Sequence, residues 1–202
     1  MTPISRRLGA TLLAGAFGLA ALAPLATFAQ PAPGAQPPKP TIVLVHGAFA
    51  DSSSWDGVVR DLQKRHYPVI AAANALRGPA SDAASVAAVV DSVKGPVVLV
   101  GHSYGGSVIT AAANGKPNVK ALVYVAAFAP EAGETALGLT GKFPGSTLGP
   151  TLAPPVPLAD GGKDLYIDQG KFPAQFAADV PLAQARLMAV GQRPIAEAAL
   201  NE

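Results

Sequence analysis

The chain has no cysteine among its 202 residues. That excludes disulfides, thiol nucleophiles, zinc ribbons and iron–sulfur clusters together. Histidine is nearly as scarce, with only His46, His66 and His102. Their wide spacing rules out a paired-histidine metal motif, and no metal or cofactor is expected. Charged residues make up 14% of the chain and aromatic residues 6%. The formal charge is +2, from 15 basic and 13 acidic residues. Arg6 and Arg7 account for that excess, so the rest of the chain balances. Without a basic patch, nucleic acid is not an expected partner. Half of the residues are apolar, which suffices for a packed core and argues against disorder.

Residues 1–29 read as a secretory signal. Arg6 and Arg7 form the positive end, followed by an uncharged run over residues 8–23 and a break at Pro24. That run is short for a membrane span. Thr27-Phe28-Ala29 places small residues at the two positions a signal peptidase reads, so cleavage is expected after Ala29. No stable membrane insertion is expected after cleavage, and the product is expected to be periplasmic or secreted. Residues 30–40 (QPAPGAQPPKP) form a proline-rich linker of extended character.

From Thr41 onward, strand-like and helix-like patterns alternate. Residues 41–45, 68–72, 97–100 and 121–126 are apolar runs of the kind found in buried parallel strands. Trp55, Val58, Val59 and Leu62 form one helical stripe, with Ser53 and Asp56 at capping-box spacing. Val86, Val90 and Val93 form another, with Ser81 as its expected cap. A small-residue helix is expected over 104–114. Strand–helix–strand repetition implies α/β architecture, a parallel sheet with helices on both faces. After Pro130 the pattern changes. Residues 133–163 are rich in glycine and proline, and short helices are expected over 173–180 and 181–190, the second capped by Asp179. A further helix is expected from Pro194, and no strand is recognisable after Tyr166. The expected domains are therefore a core over 41–130 and a helical cap over 131–202.

Gly101-His102-Ser103-Tyr104-Gly105 fits G-x-S-x-G between a buried strand and a small-residue helix. That setting is what a nucleophile elbow requires. Gly101 and Gly105 relieve crowding on either side of Ser103, and Gly106 lets the helix approach the sheet. His46-Gly47-Ala48-Phe49 follows the first strand. If the first and third strands are neighbours, the N–H of Ala48 lies near that of Tyr104. Two such donors bind an oxyanion, each contributing on the order of 3 kcal/mol.

These stretches resemble the α/β-hydrolases, near the small esterase branch that includes plant methylesterases and hydroxynitrile lyases. The resemblance rests on TIVLVHGAF at 41–49, VVLVGHSYGG at 97–106, ALVYVAAFAP at 121–130 and DVPLAQARLMAVGQR at 179–193. It implies strand order two-one-three-four, Ser103 as nucleophile, and the Ala48 and Tyr104 N–H groups as oxyanion hole. It makes His46 and Gly47 shaping residues of the oxyanion loop, and His102 part of the elbow. The implied activity is hydrolysis of small carboxylic esters without a cofactor. In that family an acid and then a histidine follow the nucleophile in the chain. No histidine follows His102 here. The expectation is therefore a hydrolase fold that stops before its last two strands, acid and base. The alternative is a catalytically incomplete fragment or a ligand-binding remnant.

Overall fold

The computed structural model describes residues 38–202. The signal segment 1–29 and most of the linker 30–40 lie outside them.

Four parallel strands form the main sheet: β1 (Thr41–Val45), β2 (Val69–Ala72), β3 (Val97–His102) and β4 (Val119–Val125). Their order is β2-β1-β3-β4, with β1 pairing in parallel to both β2 and β3. This is the order implied by the resemblance. The central strands alternate between two apolar layers because successive side chains leave opposite faces. Ile42, Leu44 and Val100 meet Trp55 on one face. Val43, Val45, Val97 and Leu99 join the larger core on the other. Helix α1 (Asp56–Lys64) covers the first face, while α2 (Pro79–Ser92) and α3 (Gly105–Ala112) cover the second.

The helix stripes hold in the interior and fail at the starts. Val86 and Val90 of α2 are fully buried, whereas Val58 of α1 is exposed. Asp51, not Ser53, is the cap here: its carboxylate accepts from the Ser53 N–H at 2.8 Å and opens a 3-10 turn that leads into α1. Helix α2 begins at Pro79, so Ser81 sits inside its first turn. Pro79 supplies a preset φ and lacks the N–H that would need a cap.

Beyond Pro130 the segment carries α4 (Ala136–Lys142), α5 (Phe172–Phe176) and α6 (Leu182–Gly191). It is not purely helical. Strands β5 (Val156–Pro157), β6 (Lys163–Leu165) and β7 (Ile195–Ala196) make an antiparallel sheet in the order β5-β6-β7. The stretch from Pro194 therefore opens as a strand, and a 3-10 turn follows at Glu197–Leu200. Strands of two or three residues are too short to show a period. Asp179 does not cap α6, whose cap position is Pro181 without a side-chain bond. Buried Gln192 holds this segment together, accepting from the Ile167 N–H and donating to the Ile167 and Ala189 carbonyls, each at 2.9 Å.

The segment is fastened to the core at the loop after β2. Arg77 donates to Asp164 at 2.6 Å and to the Pro194 carbonyl at 2.9 Å. The Ala196 N–H donates to the Leu76 carbonyl at 3.0 Å.

Candidate active site

Ser103 occupies the single turn between β3 and α3. Its φ is +53°, in the left-handed region that costs a non-glycine residue on the order of 1–3 kcal/mol. Three backbone bonds hold it there. Its carbonyl accepts from the N–H groups of Gly106 (2.9 Å) and Phe128 (3.1 Å), and its own N–H reaches the Val125 carbonyl at 3.4 Å. The turn admits no extra side-chain atom. A Cβ on Gly101 would stand 2.5 Å from the Gly105 carbonyl oxygen. One on Gly105 would strike the Val45 carbonyl, and one on Gly106 the Phe128 carbonyl.

The loop after β1 is pressed against the same turn. A Cβ on Gly47 would lie 2.7 Å from the Ser103 Cβ and 3.3 Å from its Oγ. Ala48 follows and is buried. Among the hydrogen bonds of the described residues, none is donated by the backbone N–H of Ala48 or of Tyr104. Phe49 is itself held at φ +61°. Its N–H donates to the Arg193 carbonyl at 3.1 Å, and its ring meets the Phe176 ring edge-on at 6.4 Å.

His46 is fully committed to shaping this loop. Its Nε2 accepts from the Asn74 N–H at 3.1 Å, so its Nδ1 carries the proton and donates to the Gly47 carbonyl at 3.0 Å. The Asn74 side chain returns a bond to the His46 carbonyl at 3.0 Å. Burial holds the imidazole below its ordinary pKa. His102 faces the other way, edge-on to Trp55 at 6.4 Å, and burial lowers its pKa too. His66 is exposed at the end of α1. No hydrogen bond among the described residues links any of the three to Ser103. Glu131 and Glu134 cap their own turn: the Glu134 carboxylate accepts from the Glu131 N–H at 3.0 Å and pairs with Lys142 at 3.2 Å. These contacts lower the Glu134 pKa.

Sequence reasoning missed Asp82 and Asn74. Asp82 is buried in the first turn of α2. It accepts from the Tyr104 hydroxyl at 3.0 Å and from the Arg77 N–H at 3.1 Å. Burial and the neighbouring Asp82 carboxylate push the Tyr104 phenol well above its usual range. The side chain beside Ser103 is thereby locked to the loop after β2, to which the segment beyond Pro130 is fastened. No sequence motif marks this pair; an aspartate in the first turn of a largely apolar helix is the faint signal that was available.

A cavity of about 420 Å³ lies under α4, bounded by Phe128, Leu139, Thr140, Phe143 and Ser146. No charged side chain lines it. A cavity of about 440 Å³ at the cap seam is lined instead by Asp51, Arg77, Asp164 and Arg193. The first borders the Ser103 turn through Phe128, whose N–H is bonded to the Ser103 carbonyl.

The family model for the alpha/beta hydrolase family matches residues 42–201. The chain belongs to that family. A carbendazim hydrolyzing esterase from Nocardioides sp. (strain SG-4G) is 51% identical over 47 residues, which is 23% of this chain and 19% of the esterase. This chain thus spans about a fifth of that relative's length. A mutant of polyneuridine aldehyde esterase superposes with a TM-score of 0.66 at 17% identity, over 81% of this chain and 72% of that one. An extracellular α/β-hydrolase from a Paenibacillus species, related to tobacco salicylic acid binding protein 2, gives 0.61 at 25% identity, over 77% and 66%. A tomato methylketone synthase I variant gives 0.65 at 20% identity, over 79% and 68%.

Two outcomes follow from the buried polar groups. Asp82→Ala leaves the Tyr104 hydroxyl and the Arg77 N–H without their acceptor, and is expected to cost about 3 kcal/mol in urea denaturation. Tyr104→Phe is expected to cost about half as much. His46 and His102 set a pH dependence. Their folded pKa values lie below the ordinary 6.5, so between those values and 6.5 the unfolded chain binds more protons. Stability from this source is complete above pH 6.5 and falls on acidification through it. Denaturation midpoints between pH 5 and 8 should show that slope, and His102→Asn should reduce it.

Proposed function

We propose that this protein is an exported serine hydrolase of small carboxylic esters. The observation that carries the reading is Ser103, held at positive φ on a strand–helix turn with Gly47 against its Cβ. The Ser103 Oγ attacks the ester carbonyl carbon while its proton passes to a water molecule, which returns it to the departing alkoxide. The oxyanion settles between the N–H groups of Ala48 and Tyr104, at the positive end of α3. The C–O bond to the alcohol then breaks, the alcohol leaves with a proton, and water hydrolyses the acyl-serine. The uncharged cavity under α4 suits a neutral acyl or alcohol group. No cofactor enters these steps. His46, Gly47, Gly101, His102, Gly105 and Gly106 set the geometry and do not touch the reacting atoms.

A second reading has its own observation. His46 has both ring nitrogens engaged and His102 is turned to Trp55, so neither stands ready to take the Ser103 proton. On that reading the site binds or is acylated without efficient turnover. Oxyanion stabilisation and binding alone still give about 10³–10⁴ over water.

Intact-mass spectrometry after exposure to p-nitrophenyl acetate and to a fluorophosphonate probe tests the nucleophile. One adduct per chain is expected, mapped to Ser103 and missing from Ser103→Ala. An adduct that survives the substitution removes Ser103 from its role. A kcat above roughly 1 s⁻¹ favours the turnover reading; slower release favours the second. Export is tested separately by expressing the full chain and sequencing the N-terminus of the released product. Gln30 is expected as its first residue, and a product retained in the cell with Met1 intact contradicts export.

A further inference from the structure

The Tyr104 N–H and the Ser103 carbonyl belong to one peptide unit, and that unit is a rigid plane. Its carbonyl end is anchored, accepting from the N–H groups of Gly106 at 2.9 Å and Phe128 at 3.1 Å. Its other end is the Tyr104 Cα, which the local chain holds weakly. Gly105 and Gly106 follow without side chains, and no side-chain bond caps α3. The Tyr104 carbonyl accepts its helical bond from the Val108 N–H at a long 3.3 Å. The plane can tilt only if the Tyr104 Cα shifts or its φ leaves −53°. Either change drags the Tyr104 ring or twists the plane against it.

That ring is pinned at its far end. Its hydroxyl donates to Oδ2 of Asp82 at 3.0 Å, and both residues are buried. Water therefore does not compete for the bond. Asp82 belongs to a different helix and is itself held. Its N–H donates to the Gly78 carbonyl at 2.9 Å, and its carboxylate accepts from the Arg77 N–H at 3.1 Å.

We propose that Asp82 is a positioning residue for the oxyanion hole: through the Tyr104 hydroxyl it fixes the direction of the Tyr104 N–H. The inference rests on the reading of Ser103 as the nucleophile of acyl transfer. Asp82 touches no reacting atom. The donor it aims must meet an oxyanion that exists only once Ser103 has attacked, so its effect falls on the transition state and spares substrate binding. What acts is the acceptor oxygen at this place, and an amide oxygen there serves as well. A misdirected donor loses part of the roughly 10²–10³ in rate that a deleted donor costs.

The test follows acylation of Ser103 by p-nitrophenyl acetate on the full chain, through nitrophenolate release and intact mass. It is run at a temperature where circular dichroism shows every variant folded. Tyr104→Phe and Asp82→Ala are expected to acylate about tenfold more slowly with KM unchanged. The double variant is expected to be no slower than the slower single one, because both changes remove the same bond. Asp82→Asn keeps an acceptor and is expected to stay close to the wild-type rate. Val90→Ala removes buried packing about two turns further along α2 and is expected to leave the rate unchanged. Should Asp82→Ala fail to fold, Tyr104→Phe and Asp82→Asn carry the comparison. Wild-type rates in Tyr104→Phe and Asp82→Ala overturn the inference and leave Ser103 as nucleophile. So do a loss confined to KM, an Asp82→Asn as slow as Tyr104→Phe, or an equal loss in Val90→Ala. A wild type with no adduct on Ser103 overturns the reading of the nucleophile, and the inference with it.

Discussion

The close approach of three backbone segments governs this structure. The end of β3, the first turn of α3 and the loop after β1 meet where a single methyl group does not fit. A Cβ at Gly47, Gly101, Gly105 or Gly106 would collide with backbone or with Ser103. Because the segments are so close, Ser103 has one backbone geometry open to it, at φ +53°. Its strain is sustained by the bonds from Gly106 and Phe128 to its carbonyl. Four glycines in two short motifs thus fix where the Ser103 side chain meets the loop after β1. The parallel pairing of β1 with β3 brings the motifs side by side.

The surrounding polar groups keep that convergence from relaxing. His46 and Asn74 tie the loop after β1 to the end of β2. Asp82 ties the Tyr104 side chain to Arg77, and Arg77 reaches Asp164 and Pro194 in the cap. Arg193 and Phe176 of the cap press on Phe49 from outside. The segment after Pro130 is therefore joined to both the loop after β1 and the loop after β2. The Arg77–Asp164 pair is partly exposed and contributes little by itself. Its weight comes from continuity with the buried Asp82–Tyr104 bond, where a missing partner leaves a desolvated group unpaired.

Much of this was legible in the sequence, and the reason is local. The strands announce themselves as β-branched apolar runs, and the elbow as a serine flanked by glycines at fixed offsets. Those signals arise from sterics within five or six residues. What escaped depends on partners far along the chain. Asp82 finds Tyr104 and Asn74 finds His46, and neither spacing has a period. Strands β6 and β7 owe their existence to pairing across 30 or more residues, and β5 to a short hairpin with β6, rather than to two or three side chains of their own. The caps failed for a related reason. Ser53, Ser81 and Asp179 carry suitable side chains, but Asp51 and the prolines at 79 and 181 begin the turns earlier or make a cap unnecessary.

The edge strand marks the limit of pattern reading most clearly. VVLV of β3 and ALVYV of β4 have nearly the same composition, and both read as strands buried on two faces. In β3, Val97, Leu99 and Val100 are buried; in β4, Ala121, Val123, Tyr124 and Val125 are exposed. An apolar run records what a strand is suited to pack against, and the topology decides which neighbours it has. Among the described residues, in the order β2-β1-β3-β4, β3 has a strand on either side and β4 has one.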